Sequence, residues 1–401
     1  MSAADVLLTA DRLVAGAGSR TLAEPAVLVR AGLIAWIGQR DQVPPDAAGV
    51  TRIDLSGMTL LPGFIEGHTH LAFDASDDPE GRLSAADDAE RVDLMLRSAA
   101  ELVSCGVTTA RDLGAPGHLD VEVRNRILAG TAPGPDLLLS TVPLTAVDGH
   151  CSFLGGAAAD VAELRDLVRT NHGRGADWVK VMVTGGFTSG RKSPFAPQFD
   201  VSELRAVVQE AGEHGLPVAA HAHATTGIRV AVDAGVSTVE HCTWMVPDGF
   251  DVDRGLVDRM AERGVVVCPT VNFSAREARG RLPWHERAAH LRLMRDAGVT
   301  FAVGTDSGIP RSPHHRYPDS LLPYEDLGMS PLEVIEMATS GTARALGIDG
   351  VTGSVAVGRR ADLVGVQGDP VRHLTAVRDV RFVMARGTVH RCDPVAAPAL
   401  A

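Results

Sequence analysis

The chain has 401 residues, which suits one large domain with a minor one, or two to three domains of average size. Its 38 basic and 50 acidic residues give a net charge of −12, and this balance argues against nucleic acid or an anionic membrane surface as the partner. Five scattered cysteines without a C-x-x-C pair predict neither a disulfide framework nor a zinc ribbon, and they suit a reducing compartment.

The first residues, MSAADVLLTADRLVAG, lack the basic segment and the long apolar core of a signal peptide. No later run approaches the roughly 18 apolar residues that a membrane span needs. We therefore expect a cytoplasmic protein that acts on a small-molecule substrate, with no nucleic acid and no membrane as partner. The sequence is compatible with a homo-oligomer.

Both ends of the chain predict short β-strands. Residues 1–57 contain the runs DVLLTADRLVAG, AVLVRAGLIAWIGQ and TRIDLSG, which are rich in Val, Leu and Ile and bounded by Gly and Asp. Residues 352–401 contain the similar runs ADLVGVQGDP and VRFVMARGTVH. Neither end has enough apolar residues to stand alone, so we expect the two ends to form one composite β-sandwich domain.

Residues 58–351 alternate between apolar, β-branched runs and amphipathic stretches such as AERVDLMLRSAAELVSCG. Eight strand–helix repeats predict an α/β fold, a (β/α)8 TIM barrel, whose usual size is about 250 residues or more. A doubly wound open sheet is the main alternative, but no G-x-G-x-x-G follows the first strand to mark its switch point. The eight runs are LPGFIEGHTH, VTTARDL, DLLLSTV, WVKVMV, PVAAHAH, STVEHCT, GVVVCPT and TFAVGTDS.

The ends of the predicted helices carry familiar signals. The stretch VSELRAVVQEAGEHG begins near Ser202, but the third residue after it is Arg205 rather than Glu, so this capping box is only partial. Glycine is the preferred residue just past a helix end. Four predicted helices have it there: Gly106, Gly215, Gly264 and Gly298.

Polar residues stand at the carboxyl ends of several predicted strands, the end of a barrel where active sites form. The pairs His68/His70 and His221/His223 are each spaced i, i+2, so both members point to one face of their strand. A single strand-end histidine is as readily a core residue as a ligand. Four strands that offer N or O ligands at one rim instead predict a divalent-metal site. The other polar residues at this rim are Lys180, His241 and Asp306.

An ordered set of motifs resembles the amidohydrolase superfamily, in the branch of imidazolonepropionase and the metal-dependent Xaa-Pro dipeptidases. The motifs are LLPGFIEGHTH, GVTTARDLG, WVKVMVTGG, AAHAHATTG, VEHCT, VGTDSG and, near the end, GRRADLVGV. They cover nearly the whole chain, and their common order is far more specific than any one of them.

The resemblance implies a site for two divalent metal ions, and zinc is the ion we expect. His68, His70 and Asp306 would bind the more buried ion, and His221 and His241 the second. Lys180 matches a lysine that becomes N-carboxylated and bridges both ions. Carboxylation turns a costly buried cation into an anionic ligand, which explains a lysine in an apolar strand. The alternative for Lys180 is a snorkelling or salt-bridged side chain.

The implied reaction is hydrolysis of an amide (C–N) bond by a hydroxide that bridges the two metal ions. Asp306 would accept the proton and pass it to the leaving amine. His150, in DGHCSFLGG, is the candidate donor to the oxyanion, with a solvent-facing loop histidine as the alternative. His223 contacts substrate or holds His221, and Arg191 and Arg311 are candidates for binding a substrate carboxylate.

We expect a dipeptide or an N-acyl amino acid as the substrate. Some dipeptidases of this branch have Tyr at the position of His223, a departure that puts proline-ended dipeptides in doubt. Two further functions stay open: hydrolysis of a non-peptide C–N bond in a cyclic amide, carbamate or urea, and a non-catalytic barrel that only binds. The second would need lost ligands, and all six ligand positions are filled.

Overall fold

A computed structural model describes residues 5–16, 18, 21–187 and 193–393. The chain alternates strands and helices, so its content is mixed α/β. The strands are β1 (Val6–Val14), β2 (Thr21–Ala23), β3 (Pro25–Arg30), β4 (Leu33–Gln39), β5 (Thr51–Pro62), β6 (Phe64–Thr69), β7 (Val107–Asp112), β8 (Asp136–Leu139), β9 (Thr145–Ala146), β10 (Ala157–Ala158), β11 (Val179–Met182), β12 (Val218–Ala224), β13 (Thr238–Val246), β14 (Gly249–Phe250), β15 (Val266–Cys268), β16 (Leu363–Gln367), β17 (Val380–Ala385) and β18 (Thr388–Cys392).

The helices lie between the strands of the central part and pack on them through buried Leu, Val, Ala and Met side chains. None in the described part of the chain is both long enough and apolar enough to cross a membrane. The helices are α1 (Pro79–Ala85), α2 (Asp88–Ser104), α3 (Leu119–Leu128), α4 (Val161–Arg174), α5 (Val201–Glu213), α6 (Thr225–Ala234), α7 (Arg254–Arg263), α8 (Trp284–Asp296), α9 (Pro331–Glu336) and α10 (Thr342–Ala345).

Strands from both ends of the chain share one sheet. It has eight strands in the order β18-β17-β16-β5-β1-β3-β4, with β2 paired to β1. β16 runs antiparallel to β5, which is the direct link between the two ends. Apolar residues of both ends, including Leu8, Val27, Leu363 and Phe382, pack together in one buried cluster.

The central strands form two parallel sheets, β6-β7-β8 and β11-β12-β13 with β15 on β13. Backbone hydrogen bonds link the sheets to each other and to the eighth predicted run. Asp177 N donates to Leu139 O at 2.8 Å, Val267 N to Thr300 O at 2.9 Å, and Gly67 N to Val303 O at 2.7 Å. The carboxyl ends of these strands therefore lie on one side of the molecule.

The eighth predicted run, TFAVGTDS, is not a continuous strand. It forms single bridges at Phe301 and Ser307 only. Side chains accept two of its backbone N–H groups, since the Thr342 hydroxyl accepts from Val303 N at 2.8 Å and Glu66 Oε1 accepts from Thr305 N at 2.9 Å. Backbone partners take others, as Asp306 N donates to His68 O at 2.8 Å. The segment keeps an extended path without the regular ladder.

The helix signals are partly confirmed. Gly106, Gly215, Gly264 and Gly298 all have positive φ just past a helix. The capping box of α5 is complete but lies two residues earlier than Ser202 suggests. Asp200 is the N-cap, and its partner at the third position is Glu203.

Two acidic residues are buried together between β7 and α3. Asp112 ends β7, and Asp120 lies in the first turn of α3, where its Oδ1 accepts from Val121 N at 3.1 Å. Both carboxylates are fully buried, and neither oxygen of Asp112 has a hydrogen-bond partner of good geometry. Burial raises the pKa of Asp120 to about 7 and raises that of Asp112 well above its usual value, helped by the charge of Asp120.

An ion-pair network ties the end of the chain to the strands of the central sheet. Arg360 Nη1 lies 2.5 Å from Asp136 Oδ2 at the start of β8, and its Nε lies 2.6 Å from Asp362 Oδ2. The same guanidinium donates to Thr109 Oγ1 of β7 at 3.0 Å. The network lies at the opposite ends of these strands from the polar cluster described next.

Candidate metal centre

The strand ends bring a cluster of histidines around one small cavity, of about 170 Å³. Four imidazoles, one lysine and one carboxylate predicted from the sequence as metal ligands meet there or beside it. Alternation along each strand explains the arrangement, because His221 and His223 face the same side of β12. The residues that line the cavity are His70, Phe73, His150, Cys151, Lys180, Met182, Phe187, His221, His223, His241, Asp306 and Ile309.

His68, His70 and Asp306 form the first ligand group. The Nε2 atoms of both histidines lie 3.3 Å from Asp306 Oδ1. Burial works to raise the pKa of Asp306, but His68, followed by His70 and His241, outweighs it and holds that pKa well below its usual range. Asp306 is therefore an anion across the physiological pH range, as a ligand or a proton acceptor must be.

A buried chain of charges orients His68. Its Nδ1 lies 2.7 Å from Glu240 Oε2, and Arg111 Nη2 lies 2.9 Å from Glu240 Oε1. Arg111 Nε also donates to Gly67 O at 2.7 Å, and its guanidinium lies 4.3 Å from the Trp178 ring centroid. With Nδ1–H bonded to Glu240, the Nε2 lone pair of His68 faces Asp306, and this atom is buried without a hydrogen-bond partner.

His221 and His241 form the second ligand group. His241 Nε2 lies 2.8 Å from His221 Nδ1. The opposite nitrogens are held by the protein: His221 Nε2 lies 3.2 Å from Gly185 O, and His241 Nδ1 lies 2.9 Å from Thr270 Oγ1. Burial, followed by the neighbouring imidazoles, keeps the pKa of both residues well below the usual value, so both are neutral and able to bind an ion.

Lys180 lies in the middle of β11 and is fully buried beside these groups. Burial lowers its pKa, although Glu240 and Asp306 act in the opposite direction. A lowered pKa increases the fraction of neutral amine, which is the form that reacts with carbon dioxide to give a carbamate. The environment is therefore suited to the predicted N-carboxylation.

His150 and His223 both line the cavity. The ring centroid of His150 lies 4.7 Å from that of His221. His223 stacks on His241 with centroids 4.7 Å apart, and its Nδ1 lies 3.1 Å from Thr243 Oγ1. Burial lowers the pKa of His223 to about 3.

Arg311, one of the two arginines predicted to bind substrate, does not line the cavity. Arg311 is 84% exposed at its side chain, and its Nε lies 3.0 Å from Asp77 Oδ1. It adopts a positive φ of 62°. Arg191 lies outside the described residues.

Glu240 and Arg111 are functional residues that sequence reasoning did not single out. Both lie inside quoted runs, Glu240 in VEHCT beside His241 and Arg111 in VTTARDL. The available signal was the same as for Lys180, since a charge inside a buried apolar strand needs a partner.

Non-glycine residues with positive φ gather at this centre. Asp306, His241 and Thr270 have φ values of 57°, 67° and 51°. Such conformations cost of the order of 1–3 kcal/mol each and persist only where the surroundings enforce them. The strand ends are therefore bent to aim these side chains inward.

Three groups of side chains among the described residues have ligand atoms within 4.8 Å of one another and could each hold a metal ion: His68, His70 and Asp306; His221, His223 and His241; and His68, Glu240 and Cys268. Imidazole and carboxylate donors suit zinc and similar divalent ions. Each of His68, His221 and His241 has one nitrogen held by the protein and the other turned toward the shared centre, as metal-bound histidines do.

Comparisons with known proteins agree with this chemistry. A model of the amidohydrolase family matches residues 59–390. Ochratoxinase from Aspergillus niger is 27% identical over 419 aligned positions, covering 94% of this chain and 84% of that protein. Imidazolonepropionase from Salinispora arenicola is 28% identical, covering 95% of this chain and 96% of that protein.

Solved structures are similar over nearly the full length. A Xaa-Pro dipeptidase with bound methionine in its active site superposes with a TM-score of 0.86 at 26% identity, covering 97% of this chain and 100% of that one. The A. niger ochratoxinase structure gives a TM-score of 0.83 at 25% identity, with 99% of this chain and 98% of that one covered.

Proposed function

This chain belongs to the amidohydrolase family, and from that premise we propose that it hydrolyses the amide bond of a dipeptide or an N-acyl amino acid with two divalent metal ions. The observation that carries the proposal is the orientation of the histidines around the cavity. In His68, His221 and His241 the nitrogen away from the cavity is bonded to Glu240, Gly185 and Thr270, respectively. The facing nitrogens are left for ions.

The proposal includes a closed (β/α)8 barrel over residues 58–351 and a β-sandwich from residues 1–57 and 352–401. Hydrogen bonds from Asp177 to Leu139, from Val267 to Thr300 and from Gly67 to Val303 support closure, because each joins neighbouring parallel segments. The shared apolar cluster of β1, β3, β16 and β17 supports the packing of the two chain ends. We also propose a cytoplasmic location, on the composition alone.

We assign His68, His70 and Asp306 to one ion, His221 and His241 to the other, and N-carboxylated Lys180 to both. Zinc is the proposed metal. When bound, the pair supplies a hydroxide nucleophile near neutral pH and polarises the scissile carbonyl.

The protein's own groups then carry the proton and position the substrate. Asp306, held as an anion, accepts the proton of the nucleophile and delivers it to the leaving amine. His150 lies beside His221 and is the proposed donor to the carbonyl oxygen as it gains charge. His223 takes the place of a tyrosine and borders the substrate.

Hydrolysis of a non-peptide C–N bond is the second candidate. It is favoured by the position of Arg311, whose guanidinium is in solvent, so this predicted carboxylate anchor is not at the cavity. Cyclic amides, carbamates and ureas do not require such an anchor.

Elemental analysis tests the metal part of the proposal. Protein purified without chelator and with bicarbonate should contain about two zinc equivalents per chain, and hydrolysis of a panel of dipeptides, N-acyl amino acids, lactams and carbamates should be lost after chelation and regained with zinc. One equivalent would contradict the bridging role of Lys180. Full activity in the chelated protein would refute the proposal.

A further inference from the structure

A second cavity, of about 520 Å³, lies beside the Arg360 network and away from the metal centre. One wall comes from the turns after β3 and β17 and from β18, and the other comes from the end of α3 and residues 129–133. The cavity shares no lining residue with the metal centre, and its volume is in the range of small-molecule binding sites.

Arg386 lines this cavity without a carboxylate at hydrogen-bond distance in the described part of the chain. Its Nη1 atom is buried, has no hydrogen-bond partner, and lies 4.0 Å from Asp136 Oδ1. Asp136 and Asp362 pair instead with Arg360, at 2.5 and 2.6 Å. Burial lowers the pKa of Arg386, yet arginine stays protonated in proteins, so the charge remains without a close partner.

His390 adds a second polar group to the same wall. Thr388 and His390 are spaced i, i+2 on β18, and both line the cavity. The Nε2 atom of His390 is buried and has no hydrogen-bond partner, and a neutral imidazole can carry its N–H on this nitrogen. None of the described residues that line the cavity is acidic, although the chain has 50 acidic and 38 basic residues. The wall is therefore suited to an anion.

The carbonyl groups at the end of α3 already have donors from the backbone that follows. Gly130 N donates to Ile127 O at 3.0 Å, and Thr131 donates to Arg126 O through N at 3.0 Å and through Oγ1 at 2.9 Å. An acceptor for the Arg386 guanidinium therefore has to come from solvent or from a ligand. A carboxylate matches the planar guanidinium with two oxygens and also neutralises its charge.

The wall built by α3 is apolar and partly uncovered. Leu128 is 55% exposed, and Ile127, Ala132 and Pro133 continue the same wall. A ligand that covers this surface removes apolar groups from water, which is favourable. The cavity thus joins a cationic side to an apolar side, and the matching ligand carries a carboxylate on an apolar body.

We propose that this cavity binds a small organic acid, whose carboxylate lies at Arg386 and His390 and whose aliphatic or aromatic body lies against Ile127 and Leu128. The site is separate from the metal centre. The inference therefore does not rest on the proposed amide hydrolysis and is tested without turnover.

Calorimetry with matched acids and amides tests the site. Hexanoate, hexanamide, benzoate and benzamide are titrated into the zinc-loaded protein, and each amide keeps the apolar body while it removes the negative charge. We expect hexanoate or benzoate to bind at least about 10-fold more tightly than its own amide, because a charge-assisted hydrogen bond is lost with the amide. Equal binding of acid and amide in both pairs, or binding of neither acid, would overturn the proposal.

Variants and a control assign the binding to this cavity. Arg386→Met should weaken binding of the acid to the level of the amide, and Arg386→Lys should retain part of it, since the charge remains but the fork is lost. Arg391→Gln on β18 is the control, because Arg391 pairs with Asp393 at 2.6 Å and does not line the cavity, and it should bind the acid as the wild type does. A carboxylate that binds only to the zinc ions would keep its affinity in Arg386→Met, and this result would contradict the proposal.

Thermal unfolding gives a second measurement. The acid that binds more tightly should raise the Tm of the wild type and of Arg391→Gln, because it binds the folded state, and should leave that of Arg386→Met unchanged. If Arg386→Met does not fold, His390→Leu decides, since it removes one donor and should weaken binding of the acid by about 3- to 10-fold. Wild-type affinity in His390→Leu would then refute the proposed site.

Discussion

Glu240 decides which nitrogen of His68 is available to a metal ion. Its carboxylate holds Nδ1–H and is itself fixed by Arg111, so Nε2 carries the free lone pair. Burial works against the charge of Glu240, but Arg111 and His68 hold its pKa well below the usual range. His68 is thus oriented by two charged residues, one on β7 and one on β13.

Lys180→Ala should lose metal and activity. The variant removes the proposed bridging ligand, and we expect zinc content to fall from about two equivalents toward one or none and kcat to fall by at least about 100-fold. Added acetate or propionate should restore part of both, because a short carboxylate can occupy the vacated space. Elemental analysis and initial rates measure the effect, and wild-type activity in Lys180→Ala would contradict the bridging role.

Asp306→Asn should fold and yet be nearly inactive. The amide keeps the size of the side chain but cannot accept a proton, so we expect kcat to fall by about 10²- to 10⁴-fold. Circular dichroism checks that the fold is retained. A variant with kcat near that of the wild type would exclude Asp306 as the proton acceptor.

The histidines and Asp306 were predictable because strand alternation and strand-end position are properties of the sequence. The pair Arg111 and Glu240 was not, because it depends on two strands, β7 and β13, that lie far apart in the sequence. Arg311 shows the opposite case. It is close to Asp306 in the sequence, yet its side chain is exposed to solvent.

Among the secondary-structure elements, the eighth run and α5 depart most clearly from their sequence patterns. The run TFAVGTDS has strand composition, but Glu66 and Thr342 accept two of its backbone N–H groups and interrupt the ladder. In α5, the pair Asp200 and Glu203 is itself a recognisable capping box. It begins two residues before Ser202. The first departure depends on distant residues, and the second was present locally in the sequence.

The contact between β7 and α3 should make stability depend on pH through Asp120. Its pKa is raised from 3.8 to about 7 by burial, so the folded state keeps a proton that the unfolded chain releases. Stability from this group is therefore full below about pH 4 and is lost as the pH rises to about 7.

Asp120→Asn removes this dependence. Its free energy of unfolding relative to wild type should rise between pH 4 and pH 7, by on the order of 2 kcal/mol. Urea denaturation at several pH values measures the difference. Curves for variant and wild type that run parallel over this range would show that Asp120 titrates normally in the folded protein.

For the whole molecule, Arg360 is the main polar connection between the end of the chain and the central strands. Its guanidinium contacts Asp136, Asp362 and Thr109 while only 15% of its side chain is exposed. Arg360→Met should lower the free energy of unfolding by about 2–4 kcal/mol, because the buried Asp362 and the partly exposed Asp136 both lose an ion-pair partner.

The matched control is Arg372→Met. Arg372 is 80% exposed at its side chain and pairs with Asp369 at 3.5 Å, so its loss should change stability by less than about 1 kcal/mol. Thermal unfolding of both variants with the metal state held fixed makes the comparison. Equal effects of the two substitutions would mean that Arg360 contributes no more than a surface ion pair.

The strand that carries the first two histidines continues from the sheet built by both chain ends. Only Gly63 separates β5 from β6, a Cβ at that position would collide with Thr108, and Gly63 N donates to Asp362 O at 2.9 Å. β5 in turn pairs with β16, some 300 residues later in the sequence. During synthesis on the ribosome, His68 and His70 emerge early, but the strand that fixes their support emerges near the end. For most of translation the nascent chain therefore carries these histidines without β16, and we expect the site to reach its final geometry only after the C-terminal strands are released.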